Sequence, residues 1–196
     1  MLTKLLCLLI IYTCLGISFS LIDDDCDIVS THPNILLLET LTGKVNGECW
    51  EIPLYYSEDE SNEVEVLIWM SVPYAEPPIN ENRFMKTQPK KPWATIIDGT
   101  ESPYSCLQTE DENTSEDCLY LNIYIQASSF LNREKVLKPI LVYIHGGSYL
   151  SGDGVSYDPS NIVAMTDIIV ITINYRMNAL GFLHMPDTEA TGNQGK

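Results

Sequence analysis

Basic side chains are scarce in this chain of 196 residues: 11 Lys and Arg stand against 27 Asp and Glu, and the formal net charge is −16. Such a surface repels a phosphate backbone and offers no basic groove, so nucleic acid is excluded as a partner. Glycine-rich nucleotide loops are missing too, because neither GxGxxG nor GxxxxGK[ST] occurs. The cysteines lack CxxC spacing and nearby histidines, and Gly152-Asp153-Gly154 lacks the acidic ligand pattern of an EF-hand. No metal and no cofactor are therefore expected. After the first 20 residues no stretch is long and apolar enough to span a bilayer, so no membrane span is expected in this chain. A G-x-S-x-G turn, which would carry a nucleophilic serine, is also absent.

What is present describes a folded, exported protein. Hydrophobic residues make up 45% and charged residues 19%, which excludes a disordered chain. Lys4 precedes the apolar run from Leu5 to Tyr12, and Ser18-Phe19-Ser20 supplies small residues where a signal peptidase reads. Residues 1–20 are thus expected to be a secretory signal peptide, and the mature product to be extracellular. Four cysteines remain after it: Cys26, Cys49, Cys106 and Cys118. An even count in an oxidising compartment favours two disulfides, with three pairings open. Cys106 with Cys118 is the preferred bridge because it closes a small polar loop, and closing a loop of about 12 residues stabilises by roughly 3 kcal/mol in the chain-entropy model. Cys26 would then pair with Cys49.

Along the chain, Ile35 to Leu38 and the turn-rich Gly43 to Gly47 suggest a small hairpin. Val64, Val66, Ile68 and Met70 alternate with Glu65, Leu67 and Trp69, a strand pattern that runs into Pro73 and then Pro77-Pro78. The polar stretch 101–117 holds the sequon Asn113-Thr114-Ser115, which requires an exposed loop if it is glycosylated. Leu119 to Ile125 has mixed alternation, whereas Ile140 to Ile144 and Ile168 to Ile173 are nearly continuous β-branched runs. Continuous apolar strands need cover on both faces, as at the centre of an α/β sheet. Between them Asp158-Pro159 suits an N-cap and first helical position, with Ile162, Val163 and Met165 in a short covering helix. Only a polar tail, Asp187 to Lys196, follows those strands, so the chain is expected to be incomplete.

The sharpest chemical feature is Tyr143-Ile144-His145-Gly146-Gly147-Ser148-Tyr149, directly after a buried-type strand. Paired glycines let the main chain turn tightly and present its amides without side-chain obstruction. Such amides stabilise the negative charge that develops on a carbonyl oxygen during acyl transfer. His32, His145 and His184 are read as structural histidines rather than as general bases.

An ordered series of short blocks resembles one family. Thr42-Gly43-Lys44-Val45-Asn46-Gly47 resembles its opening hairpin, and Val72-Pro73-Tyr74-Ala75-Glu76-Pro77-Pro78 with Arg83-Phe84 its IPYAxPP...RF segment. Ser115 to Ile123 closely matches SEDCLYLN. The His145 loop, Asn174-Tyr175-Arg176 with Leu180 to Leu183, and Gly192-Asn193-Gln194-Gly195 complete the order. The chain resembles the type-B carboxylesterase and cholinesterase-like α/β-hydrolases, a group that also contains the non-catalytic neuroligins. The resemblance implies that the amides of Gly147 and Ser148 form oxyanion donors while Gly146 shapes the turn. It also implies a structural ion pair between Arg83 and Glu116, and makes Cys106 to Cys118 the family's first disulfide. Arg176 is expected to meet an acidic residue shortly beyond Lys196.

The implied fold is α/β: the amino-terminal part of an α/β-hydrolase, with an incomplete, mostly parallel central sheet preceded by a small antiparallel hairpin. Residues 21–196 are expected to be the amino-terminal portion of a carboxylesterase type-B domain, ending before the nucleophile elbow. The full-length parent is expected to hydrolyse a small-molecule carboxylic ester, this chain supplying the oxyanion loop and being inactive alone. The loop from Cys106 to Cys118 contains no tryptophan resembling the choline platform of cholinesterases, which disfavours a quaternary ammonium substrate. The Ser148 loop and the strongly acidic surface motivate an alternative, and three positions depart from the family pattern. Ser148 follows two glycines in a loop that looks like that of neuroligins, Asn178 replaces a usual glycine, and Lys196 replaces a typical leucine. The alternative is a catalytically inactive, neuroligin-like adhesion or receptor ectodomain with a protein partner.

Overall fold

A computed structural model describes residues 26–54, 62–108 and 113–184. The signal segment 1–20, the acidic tract 58–60 and the tail 187–196 lie outside the described residues. In chain order the elements are α1 (Asp27–Thr31), β1 (Leu37–Glu39), β2 (Lys44–Asn46), β3 (Glu48–Pro53), β4 (Glu63–Pro73), a single 3-10 turn (Asn80–Asn82) and β5 (Ile97–Asp98). There follow β6 (Ser105–Cys106), β7 (Thr114–Ser115), β8 (Tyr120–Gln126), α2 (Ala127–Leu131), β9 (Ile140–Ile144), α3 (Ser160–Thr166), β10 (Ile169–Ile173) and α4 (Asn178–Phe182).

Strand β4 organises the rest, because its alternation buries both faces. Leu67 and Trp69 join Cys26, Val29, Ile35, Val45 and Ile125 in one core, while Val66, Ile68 and Met70 join Ile52, Tyr124, Val163 and Val170 in a second. Successive side chains of a strand point to opposite faces, so one strand feeds two layers. Between Trp69 and Val72 the register with β8 slips by one residue, a bulge at which Ser71 takes a left-handed φ of 55°. The extra residue returns Val72 to the Leu67 and Trp69 side, where it is 6% exposed.

The central sheet has the order β3-β4-β8-β10-β9. Only β9 and β10 run parallel; the other three pairings are antiparallel. The sheet is therefore mixed, and the mostly parallel arrangement expected from the two β-branched runs is confined to their own pair. Each run also behaves differently from its neighbour. β10 lies between β8 and β9, and Val170 and Thr172 are fully buried. β9 has no second partner strand among the described residues, and Ile140, Leu141, Val142 and Ile144 are 41 to 64% exposed. A continuous apolar run thus marks a strand meant for burial without revealing which strands flank it.

The hairpin of β1 and β2 belongs to a separate three-stranded sheet, β1-β2-β5. Its turn is held by Thr40, whose hydroxyl accepts from the amides of Thr42 at 3.2 Å and Gly43 at 3.0 Å. Disulfide Cys26–Cys49 fastens α1 to β3, and Cys106–Cys118 closes the lobe containing β6 and β7. α3 starts one residue later than the Asp158-Pro159 signal suggests: Pro159 takes the cap position, and the Asp158 carboxylate accepts from the Ser160 amide at 2.9 Å. Val163 and Ala164 face the core, whereas Met165 is 62% exposed, so the covering face is turned by one residue from the expected one.

Lys138, just before β9, and Ser129, in α2, both hydrogen-bond to the Asp167 carboxylate beyond the end of α3. Burial pushes the Asp167 carboxyl up, but the bonds from Lys138 and Ser129 and the Lys138 charge outweigh it and hold the group below its ordinary value. A carboxylate held low stabilises the fold above its unfolded value near ~3.9, and that contribution is lost as pH falls through the lower folded value. Asp167→Asn is therefore expected to be less stable than wild type in urea at pH 7, with the gap closing in buffers below about pH 4. A gap that does not change with pH would contradict this.

Candidate active site

The parallel pair β9 and β10 delivers its carboxyl-terminal ends to one place. There Ile144, His145, Gly146, Ser148 and Tyr149 from the β9 side meet Ile173 and Tyr175 from the β10 side. Tyr74, Leu121 and Phe182 complete the lining of a cavity of about 780 Å³. Its walls are aliphatic and aromatic, and no carboxylate or ammonium group is among them. Neither His32 nor His184 lines it.

The loop after β9 is fixed by the residues that lack side chains. Gly147 has a φ of 113°, and a Cβ there would overlap the carbonyl of Ser151. Gly152 has a φ of 116°, and a Cβ there would sit 2.5 Å from Nδ1 of His145 and 2.6 Å from the Gly146 carbonyl oxygen. Gly146, in contrast, has open space where its Cβ would be. The turn therefore needs glycine at 147 and 152, whereas position 146 has room for a Cβ and does not. Ser148 and Tyr149 continue the left-handed path with φ of 57° and 63°. The carbonyl of Gly147 accepts from the amides of Leu150 at 2.9 Å and Ser151 at 3.1 Å. Among the described residues, the N–H groups of Gly147 and Ser148 donate to no protein acceptor.

His145 is 6% exposed and stacks on Tyr175 with ring centroids 4.3 Å apart. Its Nδ1 lies 2.8 Å from the Gly146 carbonyl, which only accepts, so Nδ1 carries the proton. The Tyr175 hydroxyl donates to the His145 carbonyl at 2.9 Å, and the Tyr74 hydroxyl to the Asn174 carbonyl at 2.7 Å. Burial pushes the Tyr74 phenol up to about 12, against the pull of the Arg176 charge, and burial likewise raises that of Tyr175. Tyr74 and Tyr175, two of the three tyrosines that line the cavity, are neutral donors tied to main-chain carbonyls.

Two buried asparagines, which the family blocks contain but to which they assign no role, hold this end of the sheet. Asn122 donates to the Thr172 hydroxyl at 3.0 Å and the Gly154 carbonyl at 3.4 Å, and accepts from the Ser71 amide at 3.2 Å. Asn174 accepts from the Gly154 amide at 2.8 Å and donates to the Tyr104 carbonyl at 3.0 Å. Between them they grip both main-chain groups of Gly154. The available signal was a single amide inside, or at the end of, an otherwise apolar strand.

The remaining predicted positions are supporting structure. Arg83 and Glu116 form a two-pronged ion pair, with N to O distances of 2.6 and 2.7 Å. That hydrogen bond and the Glu116 charge hold the Arg83 guanidinium above its ordinary value. Arg176 is 3% exposed; one nitrogen donates to the Met85 carbonyl and the Thr87 hydroxyl, while Nε and Nη1 have no partner among the described residues. Asn113 is exposed. Among the described residues the cluster Cys26, Glu51 and Glu65 brings three possible ligand atoms together. The Cys26 sulfur is bonded to Cys49 and Glu65 accepts from the Ile28 amide at 2.7 Å, so these atoms already have partners.

Comparison with known proteins fits this arrangement. The model of the carboxylesterase family matches residues 35–196, and the chain belongs to that family. It is 36% identical over 171 residues to a cocaine esterase of Oryctolagus cuniculus, an alignment covering 80% of this chain and 30% of that protein. It is 34% identical over 196 residues to an acetylcholinesterase of Leptinotarsa decemlineata, covering 84% and 29%. A crystal structure of a Geobacillus stearothermophilus carboxylesterase superposes with a TM-score of 0.65 at 34% identity, covering 82% of this chain and 31% of that one. The chain thus spans less than a third of the length of these relatives. Among the described residues no helix is long and apolar enough to cross a membrane.

The glycine geometry makes a direct prediction. Gly147→Ala is expected to destabilise by about 1–3 kcal/mol through overlap and a left-handed backbone, whereas Gly146→Ala should stay within about 0.5 kcal/mol of wild type. Chemical denaturation of the two variants side by side checks the order.

Proposed function

We propose that the protein containing this chain hydrolyses carboxylic esters, and that the amides of Gly147 and Ser148 stabilise the oxyanion of the tetrahedral intermediate. The observation that carries this reading is the pair of main-chain donors without acceptors among the described residues, set in a glycine loop beside an apolar cavity at the end of β9. Preorganised donors of this kind act most strongly where water is excluded. The proposal assigns the nucleophile to a serine outside the 196 residues, since G-x-S-x-G does not occur within them. In such a reaction the serine oxygen attacks the carbonyl carbon and a histidine base takes its proton. The charged oxygen forms in the donor pair, and collapse expels the alcohol, which receives that proton; water then releases the acid. The loop from Cys106 to Cys118 has no tryptophan to serve as a cation platform, which favours a neutral ester over a quaternary ammonium one.

Ser148 supplies its N–H whatever its side chain, so it is compatible with donation. It also motivates the second reading, a catalytically inactive adhesion ectodomain, which predicts that the natural protein has no serine nucleophile. Export is part of the proposal: residues 1–20 act as the signal, and the exposed Asn113 carries a glycan. Deglycosylation by an amidase should shift the mobility of the exported protein, and Asn113→Gln should abolish its share of the shift.

The decisive experiment treats the natural protein with an organophosphonate serine probe. Covalent labelling is expected for it and not for the 196-residue chain alone; an unlabelled natural protein overturns the ester reading in favour of the adhesion one. Replacing the Ser148 amide by a main-chain ester, which exchanges N–H for oxygen, should lower kcat about 10²–10³-fold.

A further inference from the structure

The glycine loop is exposed from Gly146 to Ser151, so burial does little to fix its main chain. Two carboxamides do so instead. Gln108 stands two residues beyond Cys106, and its side chain meets both main-chain groups of Gly152. Oε1 accepts from the Gly152 amide at 2.9 Å, and Nε2 donates to the Gly152 carbonyl at 3.2 Å and to the Cys106 carbonyl at 3.2 Å. Gly152 is the residue whose missing Cβ lets the His145 ring and the Gly146 carbonyl approach, so Gln108 determines where the wall behind that ring stands.

Asn178 acts from the other side. Its amide N–H donates to the Tyr149 carbonyl at 2.8 Å, and its Nδ2 donates to the carbonyls of Leu150 at 3.2 Å and Leu107 at 3.3 Å. The residue sits at a left-handed φ of 54°, a region asparagine tolerates and glycine favours. A glycine there could keep the main-chain bond to Tyr149 but would lose both side-chain bonds. Leu107 and Gln108 adjoin Cys106, so both carboxamides fasten the loop to the lobe closed by Cys106–Cys118. The donors at Gly147 and Ser148 lie on the segment between His145 and the anchored residues 149, 150 and 152.

We propose that Gln108 and Asn178 are positioning residues that clasp the glycine loop to the disulfide lobe and so aim the Gly147 and Ser148 amides. Its chemical consequence rests on the ester-hydrolase reading above. Its structural content does not: loss of either carboxamide should loosen the loop whether or not the protein turns over an ester.

The test is hydrogen–deuterium exchange of the natural protein, resolved for peptides spanning 145–152, with peptides of β4 and β8 as internal controls. In Gln108→Ala and Asn178→Gly, exchange at Leu150 and Ser151, whose amides donate to the Gly147 carbonyl, is expected to rise roughly tenfold or more while the control strands are unchanged. Gln108→Glu adds a signature that general loosening does not produce. Its carboxylate keeps an acceptor for the Gly152 amide but has no hydrogen for the Gly152 carbonyl; protonation below a pKa near ~4.3 restores one. Exchange corrected for its intrinsic pH dependence should therefore be fast at neutral pH and return toward wild type near pH 4. Where turnover is measurable, kcat should fall about 10- to 100-fold with KM changed far less. Unchanged loop exchange, an equal rise in β4 and β8, or no recovery of Gln108→Glu at low pH overturns the clasp. Failure of the wild-type protein to label with the phosphonate instead overturns the ester reading, and leaves the loop-holding role to stand or fall on the exchange data.

Discussion

Burial of β4 on both faces is the constraint from which the rest of the molecule is built. A strand that must place Leu67 and Trp69 in one core and Val66, Ile68 and Met70 in another cannot lie at a surface, so β3 and β8 flank it and helices and small sheets cover it. The Trp69 indole donates to the Leu36 carbonyl at 2.7 Å, a part-buried bond that joins the hairpin to the sheet. Fixing β8 fixes β10 beside it, and β10 fixes β9 in parallel register from Ile169 with Ile140 to Ile173 with Ile144. Both of these strands end together, and the cavity is the consequence.

Polar groups buried in such a sheet must be paired, and here the pairing reaches toward the site. Leaving one buried donor or acceptor without a partner costs about 1–3 kcal/mol. The bulge at Ser71 exposes an amide to that penalty, and Asn122 accepts it. The same side chain then uses its donors on Thr172 and Gly154, so a defect in β4 is tied to the segment that follows the glycine loop. Arg176 shows the opposite case. Burial lowers its pKa, yet a guanidinium stays charged, and two of its nitrogens lack partners among the described residues. A buried cation of this kind requires a carboxylate or water to offset its desolvation.

Much of this was legible in the chain because the signals are local. Alternation from Val64 to Met70 is a property of seven residues, and it names both cores at once. A glycine pair after a β-branched run marks the loop, and the spacing of Cys106 and Cys118 marks the lobe. What could not be read is set by distant contacts. Nothing within Ile140 to Ile144 distinguishes a strand with one described neighbour from a strand with two, and nothing in Gly146-Gly147 says which glycine the fold needs. That depends on Ser151 folding back over Gly147, four residues away. The turned face of α3 has a similar origin: Gln126 donates to the carbonyls of Val163 and Ala164 at 3.0 and 2.9 Å, and sheet packing, not the Asp158 cap, decides which side chains point inward. Asn178 read as a departure from a family pattern, but its left-handed backbone and two side-chain bonds make it a working part of the loop.

The chemistry available at this end of the sheet is that of dipoles rather than of protons. His145 uses Nδ1–H on the next carbonyl and its ring on Tyr175, which leaves it suited to holding the loop and poorly placed to relay a proton. Tyr74 and Tyr175 have their hydroxyls committed to carbonyls and their pKa values raised by burial. Among the described residues, the N–H groups of Gly147 and Ser148 remain uncommitted, in a turn whose shape is dictated by missing Cβ atoms. A donor of that kind cannot be tuned by pH or replaced by a change of side chain, so its strength depends on aim alone. On the proposed reading, that aim is held by residues outside the cavity lining, Gln108 and Asn178, which serve the oxyanion through the main chain of Gly147 and Ser148.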